Sequence, residues 1–161
     1  ENEIRDIAKD LYAIAQRGEN KGVSLGMVGP EEAARVKAQT GLDILLYERS
    51  INANDVQHAM ERHNRQVTAI GELPITLDDM AKYEQIVTQP DAIYQGSSPG
   101  SIVYEKRYAD GTLTVVERAV RGDKVECRSM WKNEVPERIR ASTLATSGGR
   151  TKGESCEEGQ D

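Results

Sequence analysis

The chain has no phenylalanine, one tryptophan, two histidines and two cysteines in 161 residues, and each scarcity excludes something. Without Phe, a core must be built from Ile, Leu, Val, Tyr and Trp131. The hydrophobic share of 37% still allows one modest core. Cys127 sits in a strand-like run and Cys156 in a Gly/Glu-rich end, so two free thiols are expected rather than a disulfide framework, and no redox compartment follows. Neither a Cys/His spacing nor the regular Asp/Glu spacing of a calcium loop is present, so no metal site and no cofactor are expected. No apolar run reaches about 18 residues, so no membrane span is expected. Glu1-Asn2-Glu3 is neither a start methionine nor a signal sequence, which suggests a piece of a longer polypeptide or a processed product.

The formal net charge of −6 argues against a protein that coats nucleic acid generically. The charge is uneven, however. Between residues 106 and 132 the cations Lys106, Arg107, Arg118, Arg121, Lys124, Arg128 and Lys132 outnumber Asp110, Glu117, Asp123 and Glu126 by three. Such a stretch can hold a phosphate, or can be the alternating charge of an exposed sheet surface.

Hydrophobic periodicity divides the chain. Ile4, Ile7, Ala8, Leu11, Ile14 and Ala15 recur at helical spacing, and Gly18 ends the pattern. Gly18 to Gly29 reads as a Gly-rich loop without the residue order that cradles phosphate. Pro30, followed by Glu31 and Glu32, opens a second helix that Gly41 caps. Leu42 to Tyr47 reads as a short strand. A third helix starts near Asn54, capped by Asn52 or Asn54, and runs to about His63. Thr76-Leu77-Asp78-Asp79 opens a fourth, which ends near Thr88 before Pro90.

From Ala92 the period becomes two. Ala92 to Tyr94, Ser101 to Tyr108, Thr112 to Val120 and Lys124 to Trp131 read as strands, joined by turns at Asp110-Gly111 and Arg121-Gly122-Asp123. In the third of these, Leu113, Val115 and Glu117 share one side. The Arg-Gly-Asp tripeptide is explained by what a hairpin turn needs. Helices first and an antiparallel meander last is an α+β arrangement. Residues 1–40 form an N-terminal helical segment, 41–132 an α+β domain and 133–161 a polar, mobile tail.

The candidates for chemistry are few. His58 and His63 are the only histidines, and imidazole exchanges protons near neutral pH. Five residues apart on a helix they are rotated by about 140°, whereas His58 and Arg62 share a face. Both imidazoles can contribute only if His63 lies where the helix ends. On the meander, Lys106, Glu117, Arg118, Arg128 and Ser129 could project from neighbouring strands. A carboxylate, cations and a hydroxyl beside a histidine suit phosphodiester transfer without metal: one group takes the 2′-hydroxyl proton, another protonates the leaving 5′-oxygen, and cations stabilise phosphorus. The plainer alternative pairs Glu117 with a strand cation on a wet sheet face.

An ordered set of short motifs adds to this. Thr40-Gly41-Leu42-Asp43-Ile44 is followed by His58-x4-His63, then by Leu73-Pro74-Ile75-Thr76-Leu77-Asp78-Asp79 and Gln89-Pro90-Asp91-Ala92-Ile93. Ile102-Val103-Tyr104-Glu105-Lys106, Val115-Val116-Glu117 and Ser129-Met130-Trp131 complete it. From Thr40 to Trp131 this resembles the phage-encoded branch of the barnase/EndoU/colicin/RelE-like nuclease superfamily, found at the C-terminal end of Mu-type phage head-morphogenesis proteins and in polymorphic toxins. The resemblance implies helices packed on an antiparallel sheet and metal-independent RNA cleavage. It implies catalytic roles for His63, His58, Lys106 and Ser129, the last where relatives often carry Thr. Arg62, Arg118 and Arg128 would bind substrate.

The expected function is therefore a metal-independent endoribonuclease, a phage-delivered or toxin-type effector. It would act on RNA within a larger parent polypeptide, virion-associated or delivered into the bacterial cytoplasm, with an immunity or antitoxin protein as a possible partner. The rival is a non-catalytic head-protein appendage or protein-binding module with the same fold, which the acidic net charge favours. A third reading is an inhibitor acting through the acidic N-terminal half.

Overall fold

A computed structural model describes residues 2–62, 72–73 and 75–134. Their elements run α1 (Asn2–Gln16), β1 (Gly22–Met27), α2 (Pro30–Thr40), β2 (Glu48–Asn52), α3 (Ala53–Arg62), β3 (Glu72–Leu73), α4 (Leu77–Met80), α5 (Tyr83–Thr88), β4 (Ala92–Gln95), β5 (Ser101–Tyr108), β6 (Gly111–Val120) and β7 (Lys124–Asn133). One sheet has the order β1-β2-β7-β6-β5-β4, and β3 pairs with the far end of β7. Every pairing is antiparallel except β2 with β7. The class is α+β, as expected. Cys127 is a free, buried thiol, and no described helix is long and apolar enough to cross a membrane. The expectations for the 133–161 tail and Cys156 lie almost wholly outside the described residues.

Local chemistry explains most of the helices. In α1, Ile4, Ala8, Leu11 and Ala15 are buried at three- and four-residue spacing. Pro30 begins α2, and Gly41 ends it in the left-handed region (φ 80°) with its N–H donating to the Lys37 carbonyl. The Asn52 side chain accepts the Asp55 N–H at 2.9 Å and caps α3. Thr76 and Asp79 cap α4 reciprocally, at 3.1 and 3.0 Å.

Four boundaries differ from expectation. Leu42 to Tyr47 is not a strand. The Thr40 hydroxyl accepts the Leu42 N–H at 3.1 Å, Asp43 accepts the Leu45 N–H at 3.2 Å, and Leu46 takes a positive φ of 63°. These local bonds compete with a ladder, so the strand starts at Glu48. The Gly-rich loop contains β1, whose Val23 and Leu25 alternate with small residues and pair against β2. The helix expected from Thr76 to Thr88 breaks between α4 and α5, where the Lys82 N–H turns back to the Asp79 carbonyl at 3.0 Å. The β5–β6 turn consists of Ala109 and Asp110, because Gly111 already pairs with Tyr108. A side chain at Gly111 would stand 2.7 Å from the Asn133 carbonyl oxygen, at a φ of 149° that favours glycine.

Strand register sorts the meander into two faces. Ile102, Tyr104, Leu113, Val115, Val125, Cys127 and Met130 join α1, α3, α4 and α5 residues in a single core that also takes in Ala33 and Val36 of α2. Two ionic groups lie on this helix-covered side. Lys132 reaches Asp79 at 3.3 Å and Asp110 at 2.8 Å, tying β7 to α4 and to the β5–β6 turn.

The other is deeper. Glu117 has no exposed surface and Arg49 is 4% exposed. The guanidinium donates to both carboxylate oxygens, at 2.7 Å from Nε and 3.2 Å from Nη2, while Nη1 donates to Glu32 at 2.7 Å. The Tyr83 and Tyr104 hydroxyls also donate to Glu117, the latter at 2.8 Å. Glu117 therefore lies neither on a wet sheet face nor beside a strand phosphate site. Its partner is 68 residues away. Burial first, then the Glu117 charge, pushes both tyrosine pKa values well above the usual range.

Removing one partner strands a buried charge. Glu117→Ala is expected to lose about 3–5 kcal/mol of stability. The pair Arg49→Met with Glu117→Gln is expected to recover most of it, since the Gln amide oxygen still accepts from one tyrosine and its NH2 can donate to the hydroxyl oxygen of the other. Urea denaturation of the three proteins measures this. A Glu117→Ala loss under about 1 kcal/mol would show that the network does not hold the core.

Candidate active site

The second face of the sheet has no described helix packed on it. Reading pairings across the strands gives one row of Ser50, Glu126, Arg118 and Ser101, and a next row of Ser129, Val116, Val103 and Tyr94. A third row holds Trp131, Thr114, Glu105 and Ala92. These rows bring together one cation, two glutamates, hydroxyls and two aromatic rings, with Ser101, Val103 and Thr114 among them buried. Of the two glutamates, Glu105 accepts from the Tyr94 hydroxyl at 2.7 Å and Glu126 accepts from Arg128 at 3.0 Å.

The outer edge of β7 is where this face meets α3. β2 covers β7 only at Lys124–Glu126 and β3 only at Lys132–Asn133. Among the described residues, no strand pairs with the edge between them. The β6–β7 ladder shifts there, with Val116 opposite Ser129 but Glu117 opposite Cys127, so Arg128 is the extra residue of a bulge. A bulge re-aims side chains, and Arg128 projects into solvent. The Ser129 Oγ is buried and has no hydrogen-bond partner. An orphaned hydroxyl inside a fold is costly and asks for an explanation.

α3 brings its own groups to this edge. Asp55 and His58 stand one turn apart. The Asp55 carboxyl is half-buried and feels the charges of Arg128, Glu126 and His58. Burial, the largest influence, outweighs Arg128 and raises its pKa above 3.8. His58 is exposed on the outer side of the helix. The opposite flank of α3 is occupied differently: Glu61 accepts from Tyr12 of α1 at 2.9 Å.

The expected site residues do not all meet. Arg128 and Ser129 are adjacent on β7, Arg118 is a diagonal neighbour of Ser129 on the same face, and His58 joins Arg128 only in that the charge of each acts on Asp55. Lys106 does not join them. It pairs with Leu113, on the helix-covered side, whereas Ser129 pairs with Val116 on the other. Pleat alone sends the two side chains to opposite faces. The Lys106 amine donates instead to the Gln89 carbonyl at 2.6 Å, closing the end of α5. Arg62 is the last residue of α3, and His63 lies outside the described residues. Asp55 was missed in the sequence, although its place three residues before His58 was the available signal.

Residues 26–139 match the family described as phage-Barnase-EndoU-ColicinE5/D-RelE like nuclease3, and the chain belongs to that family. It is a nuclease of the barnase/EndoU/RelE type. Neither the curated proteins nor the solved structures offer a match.

The raised Asp55 pKa has a stability consequence of definite sign. The folded protein binds this proton more tightly than the unfolded chain, so ionising Asp55 destabilises the fold as pH rises from about 3.8 through the raised value. Asp55→Asn is expected to be more stable than wild type at neutral pH. The advantage should vanish below about pH 3.8, where both side chains are neutral. Thermal melts of both proteins across pH 3–7 measure it; an advantage that persisted at low pH would assign the effect to packing instead.

Proposed function

We propose that the chain is a metal-independent endoribonuclease whose scissile phosphate sits at the uncovered edge of β7. The observation that carries this reading is the partnerless Ser129 hydroxyl, placed beside Arg128 and one row from Arg118. The hydroxyl is closed to solvent in the structure, so a phosphate oxygen would satisfy it by displacing what covers it, and the two guanidinium groups would balance the charge that builds on phosphorus. One proton-transfer group takes the ribose 2′-hydroxyl proton as O2′ bonds to phosphorus. As the P–O5′ bond breaks, a second group protonates the 5′-oxygen, leaving a cyclic phosphate and a free 5′-hydroxyl. His58 is one of the two and His63 is proposed as the other, with Asp55 beside His58. The family's phage association supports a larger parent polypeptide, delivery into bacteria and a neutralising partner as further parts of the proposal.

Total RNA incubated with the protein in EDTA should be cut, with 5′-hydroxyl ends. His58→Ala and His63→Ala should each lower the rate by a factor on the order of 10² or more, and Ser129→Ala by a smaller factor. RNA left whole at stoichiometric protein, or cut equally by wild type and both histidine variants, would remove the claim.

The engagement of Lys106 with Gln89 on the other face supports a second reading, a fold retained as a non-catalytic phage appendage. Induction in bacteria separates the two. Growth arrest by wild type but not by His58→Ala supports the nuclease, and unchanged growth with wild type supports the appendage.

A further inference from the structure

The sheet ends in two outer strands, β1 and β4, and they differ. β4 is four residues long and begins directly after Asp91. β1, Gly22–Met27, has neither a charge nor a proline to guard it. Among the described residues, no strand pairs with its outer side. Gly22, Ser24, Gly26 and Met27 are exposed, while Val23 and Leu25 pack partly on the core. The Lys21 carbonyl accepts from the Ala53 N–H at 2.9 Å and the Val28 N–H donates to the Tyr47 carbonyl at 2.8 Å, so both of these flanking residues bond inward. Antiparallel bonding alternates, which turns the backbone groups of Gly22, Ser24 and Met27 outward. Leu25 is the extra residue of a bulge opposite Ser50 and Arg49. It restores the alternation over an odd interval. Gly22 and Met27, five apart, therefore stand on the same face, that of Asn52 and Glu48.

An apolar patch adjoins this edge. Met27, Leu45 and Leu46 are 64%, 47% and 58% exposed. The Leu46 N–H donates to the Val28 carbonyl at 3.1 Å, which holds the residue at the end of β1, and its φ of 63° is one that a bulky side chain rarely takes. A strained backbone that keeps a leucine in water beside an unpaired edge asks for a partner. We infer that the outer edge of β1 pairs antiparallel with β1 of a second copy of this chain, about a two-fold axis between Ser24 and Leu25. Three features fit a second copy. The strand is uncharged, so its own image meets no like charge along the ladder. The register that spans the whole strand sets Met27 of one copy beside Gly22 of the other, on one face, and glycine leaves room for the methionine side chain. Two-fold symmetry uses the apolar patch twice, once at each end of the ladder. The contact is small. Six residues of edge run about 20 Å, and with three side chains they bury less than the roughly 800 Å² per partner of a standard interface. The dimer is therefore weak and reversible. Each copy carries a net charge of −6, so the two bodies repel and added salt strengthens the pairing. Neither histidine nor Ser129 takes part, and the pairing stands apart from the endoribonuclease reading.

Sedimentation equilibrium of the full chain, from about 5 μM to about 1 mM, should show monomer and dimer with a Kd on the order of 100 μM at physiological salt. The Kd should fall severalfold in about 0.5 M salt. Met27→Lys charges an exposed edge position and should weaken association by about tenfold or more. Leu46→Asn should weaken it severalfold while raising the melting temperature, because Asn takes a positive φ more readily than Leu. A variant that melts higher and dimerises less has not lost the dimer by misfolding. Cross-linking reads the register. In a Cys156→Ser background, Gly22→Cys and Met27→Cys proteins mixed under oxidising conditions should join through a disulfide between these positions, faster than either protein alone. A Cβ at Gly22 meets nothing closer than 3.9 Å, so the substitution fits. A single monomeric species up to about 1 mM would overturn the proposal. So would unchanged association in either surface variant, weakening by salt, or cross-linking no faster in the mixture than in the separate proteins.

Discussion

A carboxylate with no exposed surface in a small core is the constraint around which this fold is arranged. The burial of Glu117 is offset because Arg49 meets it with two hydrogen bonds and two tyrosine hydroxyls complete its shell. Those partners come from β2, β5 and α5, and Glu32 of α2 holds the remaining side of the guanidinium. One residue on β6 thus fixes the relative placement of four other elements. The cost of leaving any of these groups unpaired is what makes the arrangement specific. It also explains the parallel docking of β2 on β7: Arg49 must stand in the row of Val125, within reach of a carboxylate two strands away.

That arrangement has a consequence for the other side of the sheet. All described helices spend their apolar surfaces on the face that contains Glu117, so the opposite face keeps the hydroxyls, rings and arginines. The same short run serves both. Cys127 and Met130 point into the core, while the bulge between them turns Arg128 outward and leaves Ser129 on the far face. β2 departs from β7 after Glu126 because Asn52 caps α3 immediately afterwards, and the uncovered stretch of β7 begins there. The helix cap, the bulge and the uncovered edge are therefore one local feature, and Asp55, His58, Arg128 and Ser129 are its neighbours.

Much of the fold was legible in the sequence because its signals are local. The meander follows from period-two alternation, the α2 boundaries from Pro30 and Gly41, and the α4 start from Thr76 and Asp79. What escaped depends on tertiary partners. β1 is a strand only because β2 lies beside it, since its glycines carry no strand signal of their own. The break between α4 and α5 is invisible to periodicity. At the site, Glu117 shared a side with Leu113 and Val115 in the sequence, and that alternation already pointed it inward. Its chemistry suggested a surface role and its spacing did not, and the spacing was the better guide. Lys106 and Ser129 were grouped by chemical type. Separating them required the register across β5, β6 and β7, which no single strand contains.

The acidic net charge and the proposed RNA substrate are compatible once charge is located rather than summed. Screening confines an exposed charge's influence to about 8 Å at physiological salt. The carboxylates of α1 and α2, and buried Glu117, sit on the other side of the sheet from Arg118 and Arg107, while Glu105 and Glu126 on the near side are each engaged with a donor. A phosphate approaching the β7 edge meets Arg118 and the Arg128–Glu126 ion pair within that range, while Arg107, two strands and four residues from Ser129, lies beyond it. The remote acids act more weakly, by lowering the affinity of RNA for the rest of the surface. An acidic body with a confined cationic margin binds RNA in one place, whereas a basic body binds it everywhere. For a nuclease that must reach particular phosphates, the first distribution gives fewer unproductive complexes at the same local affinity.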